Sequence, residues 1–407
     1  MPTLKLRFKD ENGQEFPEWI KVPFTSIADV RDGTHDSPKY HKYGFPLITS
    51  KNLSSSGKID FSNVNFISEN DYLNINKRSK VDIGDIIFGL IGTIGRPAIV
   101  QQEGFAIKNV ALIKPNVDLV NNKFLYQLIS SDSFNKLLEF LRSGGNQKFV
   151  SLGLLREMNF YLPELEEQHK IAEFLSTVDE KVEALETKLE ALNSLKKGFM
   201  QKIFSQELRF KDDSGQDYPP FRDTTIGEEG YFYYGKSAPK WSLTDDATTP
   251  CVRYGELYTT HKYQVKEIHS FTNIPVENLK LSKGGEVLIP RVGEEPLDFC
   301  KCAYLPFANV AIGEMISVYN TNHNPLFISY MFNATMKKEF AKRVEGGNVS
   351  NLYYYYLEDI KISVPCLEEQ RKIAEFLSAF DEKIEAVKRQ VEAMKQVKKG
   401  LLQQMFV

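Results

Sequence analysis

The chain repeats itself. Residues 162–185, LPELEEQHKIAEFLSTVDEKVEAL, return at 364–387 as VPCLEEQRKIAEFLSAFDEKIEAV. KKGFMQKIF at 196–204 returns as KKGLLQQMF at 398–406, and LRFKDENGQEFPEW at 6–19 returns as LRFKDDSGQDYPPF at 208–221. All three blocks are displaced by the same 202 residues, so a whole unit has been duplicated. Between the blocks, residues 20–142 and 222–344 share almost no continuous identity. What persists there is punctuation. Gly144-Gly145-Asn146 matches Gly346-Gly347-Asn348, and VDIGDIIFG (81–89) resembles KGGEVLIPR (283–291) after a one-residue slip. Two copies of one fold presenting different surfaces fit this pattern.

Each repeated segment reads as one long helix. Pro163 and Pro365 close the strand-like runs MNFYLP and IKISVP. Glu164, Glu166 and Glu167, and in the second copy Glu368 and Glu369, fall in the first turns; Lys196, Lys197 and Lys202, and Lys398 and Lys399, fall near the ends. Acid first and base last suits the helix dipole. Apolar residues recur at steps of three and four: Ile171, Leu175, Val178, Val182, Leu185, Leu189 and Leu192, then Lys196, then Phe199 and Ile203. The second copy runs Ile373, Leu377, Phe380, Ile384, Val387, Val391 and Met394, then Lys398, then Leu401 and Met405. Sustained heptads argue for a coiled coil between the copies, and a lysine at the same seam position in both would fix register and partner choice. About 38 residues at 1.5 Å each span ~57 Å, longer than a small domain, so the pair would act as a spacer.

Order along the chain is circular. The first helix leads into an LRFKD block and the second variable region. The second helix ends the sequence, and the block that would follow it is the N-terminus. Two units joined in this way, with antiparallel helices, would have pseudo-two-fold symmetry.

Composition sets limits. At 407 residues the chain has room for two to three domains. No apolar run approaches the ~20 residues of a membrane span, and the first residues lack the apolar stretch of a signal peptide, so a cytoplasmic protein is expected. Cys251, Cys300, Cys302 and Cys366 match neither a disulfide framework nor a zinc spacing and read as reduced, partly buried thiols. The net charge of −3 counts against a simple basic nucleic-acid binder. Charge is uneven, however: residues 20–160 hold 17 Lys/Arg against 13 Asp/Glu, a net of +4, and residues 222–363 hold 15 against 17, a net of −2.

Several chemistries lack their motifs. There is no G-x-x-x-x-G-K-S/T phosphate loop. FGLIG (88–92) has glycines among apolar residues but not the F-x-G-x-G pattern of a methyl-donor site. YPPF (218–221) carries Tyr218 where a methyltransferase loop needs Asp or Asn, and its twin is FPEW; it reads as a turn. Asp179-Glu180-Lys181 and Asp381-Glu382-Lys383 read as surface ion pairing at helical spacing. The six histidines form no metal-ligand spacing.

With its paired P-x-L-E-E-Q-x-K-I-A-E-F-L-S segments at 163–176 and 365–378, the helices after them and the two unlike regions around them, the chain resembles the specificity subunit of type I restriction-modification systems over its whole length. The resemblance implies an α/β (α+β) target recognition domain at each end of a coiled-coil spacer. On this reading, residues 1–161 form the first recognition domain with its N-terminal segment, 162–207 the first helical spacer, 208–363 the second recognition domain and 364–407 the second spacer. The implied partners are double-stranded DNA, two modification (methyltransferase) subunits and, through the complex, restriction subunits. The resemblance also implies no catalytic, cofactor or metal site in this chain, with S-adenosylmethionine, ATP and Mg on the partner subunits. An inverted pair of unlike readers would recognise a bipartite, asymmetric target, the rod fixing the unread gap as dimer geometry fixes half-site spacing elsewhere. A coiled-coil adaptor carrying two protein-binding domains is the alternative.

Base edges are read by Arg, Lys, Asn and Gln, and phosphates by any basic or hydroxyl group. On that ground the first-region candidates for DNA contact are Arg31, His35, Lys51, Asn52, Arg78, Lys80, Thr93, Arg96, Lys108, Arg142, Asn146, Gln147 and Lys148. Thr93 and Arg96 lie in GLIGTIGRPAIV (89–100), a glycine-punctuated turn between apolar runs, and Lys51 and Asn52 where a strand end opens into a polar loop. The second-region candidates are Lys236, Lys240, Trp241, Arg253, Tyr258, Lys262, Arg291, Lys301, Arg343, Asn348 and Ser350. YFYYGKSAPKW (231–241) mixes aromatics with lysines in the manner of nucleic-acid surfaces, whereas YYYYL (353–357) reads as strand and core.

Overall fold

The structure is a computed structural model. It describes residues 6–54, 56–143, 149–236 and 238–406, with backbone alone at 141–143. The chain divides into two compact units, one of residues 1–189 with 387–407 and one of residues 190–386.

The first unit is built on a four-stranded antiparallel sheet in the order Ala28–Asp32, Val110–Pro115, Ile86–Gly89, Gly95–Ile99. A three-stranded sheet, Asn65–Ile67, Phe45–Ile48, Ala106–Ile107, contains one parallel pairing, Leu47 with Ala106 and Ile48 with Ile107. The second unit repeats this. Its larger sheet runs Gly230–Tyr234, Ile316–Thr321, Glu286–Pro290, Ala303–Leu305. Its smaller one includes Thr249–Val252 parallel to Ala308–Ile312, Cys251 beside Ala311 and Val252 beside Ile312. Continuous apolar runs such as Ile86–Phe88 and Val287–Ile289 are buried on both faces, which explains how one sheet topology survives with almost no identity. The slipped resemblance between VDIGDIIFG and KGGEVLIPR is therefore one strand seen twice.

Each unit also contains the start of one long helix and the end of the other. Leu165–Phe204 and Leu367–Met405 are continuous helices of 40 and 39 residues. In the first unit Lys398 pairs with Asp179 and Lys395 with Glu186, so the two helices run antiparallel there. In the second unit Lys196 meets Asp381 and Phe199 packs on Phe376 and Phe380, again antiparallel. All the seam positions named above are buried or half-buried. The core of the first unit takes Ile171 and Leu175 from the first helix and Leu402, Met405 and Phe406 from the second. That of the second unit takes Ile373 and Leu377 from the second helix and Met200 and Ile203 from the first.

The repeated sequence blocks meet at the helix starts. Arg7 of the first LRFKD block grips the fully buried carboxylate of Glu167 through two nitrogens, at 3.1 and 2.7 Å, and Trp19 Nε1 donates to the same carboxylate. Arg209 holds Glu369 in the same way at 2.8 and 2.6 Å. Gln168 accepts from the Asn121 backbone N–H and donates to the Pro163 carbonyl; Gln370 does likewise with Asn324 and Pro365. Asn121 and Asn324 in turn cap the helices Asn122–Ser130 and Pro325–Thr335. The E-E-Q of the repeated motif is thus a junction that fixes the long helix, the N-terminal block and a domain helix to one another.

Two expectations need correction. Among the described residues Asp179 and Asp381 form no ion pair along their own helix; each accepts from the seam lysine of the other long helix, and each takes a second bond from a domain helix, from Gln127 and Tyr330. YYYYL is not a core strand. Tyr354–Tyr356 form a turn of 3-10 helix, and of this run only Leu357 is buried, because the aromatic rings stack on one another and on Phe232 and Tyr234 at the surface.

Candidate nucleic-acid interface

Two groups of cations form in the first unit. The first surrounds Asp32, at the end of strand Ala28–Asp32. Arg78, from the last turn of helix Glu69–Ser79, pairs with Asp32; His35 Nε2 lies 3.0 Å from Asp32 Oδ2; and Arg31 reaches the Arg78 carbonyl. His35 and Arg78 keep most of their side-chain surface exposed, so a single carboxylate orients groups that still face solvent. Lys108 is buried and spends its ammonium on Ser37, two residues beyond His35. Lys80 stands apart, paired with Asp82 at 2.8 Å. The Lys114 ammonium, and then Lys80, hold the Asp82 pKa down at about 2.

The second group is the turn at 89–96. Chain reversal there needs glycine: a Cβ on Gly89 would lie 2.1 Å from the Thr93 carbonyl oxygen, and Gly92 and Gly95 have φ of 75° and 84°. Arg96 follows with φ of 51°, a conformation uncommon for a side-chain-bearing residue, and is exposed. Ser50 Oγ donates to the Ile91 carbonyl at 2.7 Å and so ties this turn to the exposed Lys51. Arg96 borders a hollow of about 300 Å³ that Lys395, Lys398 and Lys399 of the second long helix also line. Lys51 thus neighbours the turn that carries Thr93 and Arg96. Asn52 is removed from the candidates. It is buried, and its amide is fully engaged, accepting from Thr49 and donating to the carbonyls of Asp60 and Asn63. Arg142, Asn146, Gln147 and Lys148 lie outside the residues whose side chains the structure describes.

In the second unit, Arg291 follows strand Glu286–Pro290. Its guanidinium lies 4.7 Å from the Tyr234 ring centroid and 6.0 Å from that of Tyr353. The next residues, Val292–Gly293, pair with Ser350–Asn351, which pair with Glu345–Gly346, so the exposed Asn348 sits in a hairpin joined to Arg291. Ser350 is buried within this small sheet. Tyr258 donates to the Val292 carbonyl, and burial raises its pKa. Lys301 sits 5.8 Å from the Tyr258 ring and pairs with Asp298 at 2.7 Å. Lys236, Lys240 and the 71% exposed Trp241 line a separate segment, and Arg253 precedes helix Tyr254–Thr259. Lys262 and Arg343 are held by Glu385 and Glu339 and join neither group.

The candidates leave out Tyr355, which is exposed and lies 5.5 Å from Tyr353 on the aromatic face that carries Arg291. They also leave out Arg7 and Arg209. Their signal was present: the Arg of LRFKD and the second Glu of E-E-Q recur together at one spacing. Among the described residues no group of three or more His, Cys, Asp or Glu is placed to hold a metal ion, and no helix is long and apolar enough to cross a membrane.

Comparison with known proteins bears on what such surfaces serve. The family model for the type I restriction modification DNA specificity domain matches twice, at residues 41–194 and 234–396. A protein described provisionally as the type I restriction enzyme MjaX specificity subunit of Methanocaldococcus jannaschii is 27% identical over 97% of this chain and 96% of its own length. The type I restriction enzyme EcoBI specificity subunit of Escherichia coli is 28% identical over 41% of this chain and 36% of its own. Among solved structures, the S subunit of a type I restriction-modification system from M. genitalium superposes with a TM-score of 0.63 at 17% identity, covering 100% of this chain and 99% of that one. A chain from work on complex assembly of the type I R-M system superposes with a TM-score of 0.57 at 18% identity, covering 96% and 98%.

Proposed function

The chain belongs to the type I restriction-modification DNA specificity family, and on that premise we propose that it reads a bipartite, asymmetric DNA target, one half-site per unit. It is the non-catalytic specificity subunit of its complex, and adenine methylation and DNA cleavage are assigned to other chains. S-adenosylmethionine, ATP and Mg are assigned to those partners as well.

One observation carries the reading. The two units share their sheet topology and their helix-start junctions, Arg7–Glu167 and Arg209–Glu369, yet place different cations at corresponding surfaces. A duplicated framework with unlike faces is what two different half-sites require. We assign the recognition domains to residues 1–161 and 208–363, and the spacer and docking segments to 162–207 and 364–407. The exposed His35, Arg78, Lys51 and Arg96 of the first unit, and Arg291, Asn348, Lys236, Lys240 and Trp241 of the second, are the DNA-facing groups. Phosphate contacts by such cations orient the duplex and base contacts specify it. The repeated helices offer two equivalent docking sites, hence two methyltransferase subunits.

The test is competition binding. The chain, purified with its modification subunit, is titrated against labelled genomic duplexes with excess unrelated DNA. Retention of a discrete set of duplexes supports the reading. Binding that is indifferent to sequence favours a protein-binding adaptor, and methyl transfer by the chain alone contradicts the non-catalytic assignment.

A further inference from the structure

Arg291 occupies a framework node that the two units fill differently. The Leu352 backbone N–H donates to the Arg291 carbonyl at 2.8 Å, and in the first unit the Val150 N–H donates to the Leu90 carbonyl at 3.0 Å. The following pairings repeat as well, Val292 with Asn351 and Ile91 with Phe149. The backbone is therefore equivalent at Leu90 and Arg291. The first unit buries an apolar side chain there; the second presents a guanidinium.

Among the described residues, that guanidinium has no partner suited to its charge. Arg222, Lys262, Lys301, Lys342 and Arg343 of the second unit each pair with a carboxylate within 4 Å, whereas Arg291 forms no ion pair with any described residue. Its Nε is buried without an acceptor, and an Nη lies 3.7 Å from the Met315 sulfur, a weak one. A charge partly desolvated in this way costs free energy in the isolated protein. Stacking on Tyr234 sets the plane of the fork and leaves the side chain few other conformations. Arg291 itself keeps part of its surface open, beside the exposed Asn348 hairpin and the exposed Tyr355.

We propose that Arg291 is a base-reading residue of the second half-site, its held and unpartnered guanidinium matched to the O6 and N7 acceptors of a guanine in the major groove. This rests on the reading of the chain as a DNA specificity subunit. A planar, oriented fork suits two adjacent acceptors on a base edge, and Arg to guanine is the commonest specific contact of this type. It discriminates against other bases by roughly 5- to 150-fold.

The experiment is sequencing of methylated adenines in a host expressing the modification subunit with the wild-type chain, R291K or R291Q. Each variant chain is also melted to confirm that it folds. R291K keeps the charge and the stem but loses the planar fork, so it tests the contact with the least change to the fold. The expected result is a wild-type motif with a guanine column in one half-site that both variants relax, while the other half-site stays intact. An unchanged motif with folded variants overturns the assignment. So does an evenly weakened methylation at every site, which marks a phosphate contact. A wild-type chain that yields no bipartite motif overturns the assignment together with the reading beneath it.

Discussion

Lys196 Nζ donates to Asp381 Oδ1 at 2.6 Å, and its counterpart across the duplication, Lys398, meets Asp179 at 2.5 Å. In each pair one long helix supplies the lysine and the other the aspartate. Because the lysine interrupts an apolar seam, a shift of register would leave it buried against hydrocarbon. The pairs thus specify antiparallel alignment more than they add to stability.

The two locks should differ in strength. Lys196 is 5% exposed and lies 3.7 Å from the Tyr263 ring centroid, whereas the side chains of Lys398 and Asp179 retain 18% and 35% exposure. Asp381→Ala strands a buried ammonium and should cost about 3 kcal/mol, the lower end for a broken buried pair because Asp381 keeps some solvent contact. Asp179→Ala should cost about 1 kcal/mol or less. Urea unfolding of the two variants against wild type checks the order.

Stability should also carry a signature of Lys196 above neutral pH. Burial pushes its pKa down to about 8 from 10.5, despite the opposing pull of Asp381. Between those values the unfolded chain binds more protons at this site than the folded one, so its contribution to stability rises with pH across the window. The difference in unfolding free energy between wild type and K196M, measured from about pH 7.5 to about pH 10.5, should shift in favour of wild type as pH rises. A flat difference contradicts the assignment.

Permutation should be tolerated. The Leu6 N–H donates to the Gln404 carbonyl at 3.3 Å, just as the Leu208 N–H donates to the Lys202 carbonyl at 3.0 Å. The N-terminal block therefore docks on the end of the second helix as its twin docks on the end of the first. A chain opened between residues 204 and 208, with Phe406 joined to Leu6 through a three-residue linker like residues 205–207, should melt within a few degrees of wild type. Removing residues 402–406 should instead destabilise the first unit, because Leu402, Met405 and Phe406 are core residues there; losing Phe406 alone corresponds to about 3–5 kcal/mol.

How far the fold can be read from the chain depends on which residues carry repetition. The helices, their seam and the junction blocks are legible because one physical demand is written twice at one spacing. The sheets are less so: Ile86–Phe88 and Val287–Ile289 are apolar on both faces, so periodicity cannot separate strand from buried helix there. The tyrosine run at 353–357 misleads because composition does not show that rings stack on neighbouring rings at the surface. Asn52 misleads for a related reason. A loop asparagine has the same letter whether its amide faces solvent or closes its own turn, and here four bonds close the turn. Arg291 emerges as distinct from its neighbours only once its buried, unpartnered Nε and its stacking on Tyr234 are known.

The central claim is that the paired helices set the distance between two half-sites read by unlike domains. Inserting one heptad into each long helix, after Thr187 and after Arg389, keeps the seam and both Lys–Asp locks in register while lengthening the rod by about 10 Å. Methylated-adenine sequencing of hosts expressing the parent and lengthened chains with the modification subunit should give the same two half-sites, with a gap wider by about three base pairs, from the ~3.4 Å axial repeat of DNA. Altered half-sites with an unchanged gap, or a single continuous palindrome from the parent chain, would contradict the account.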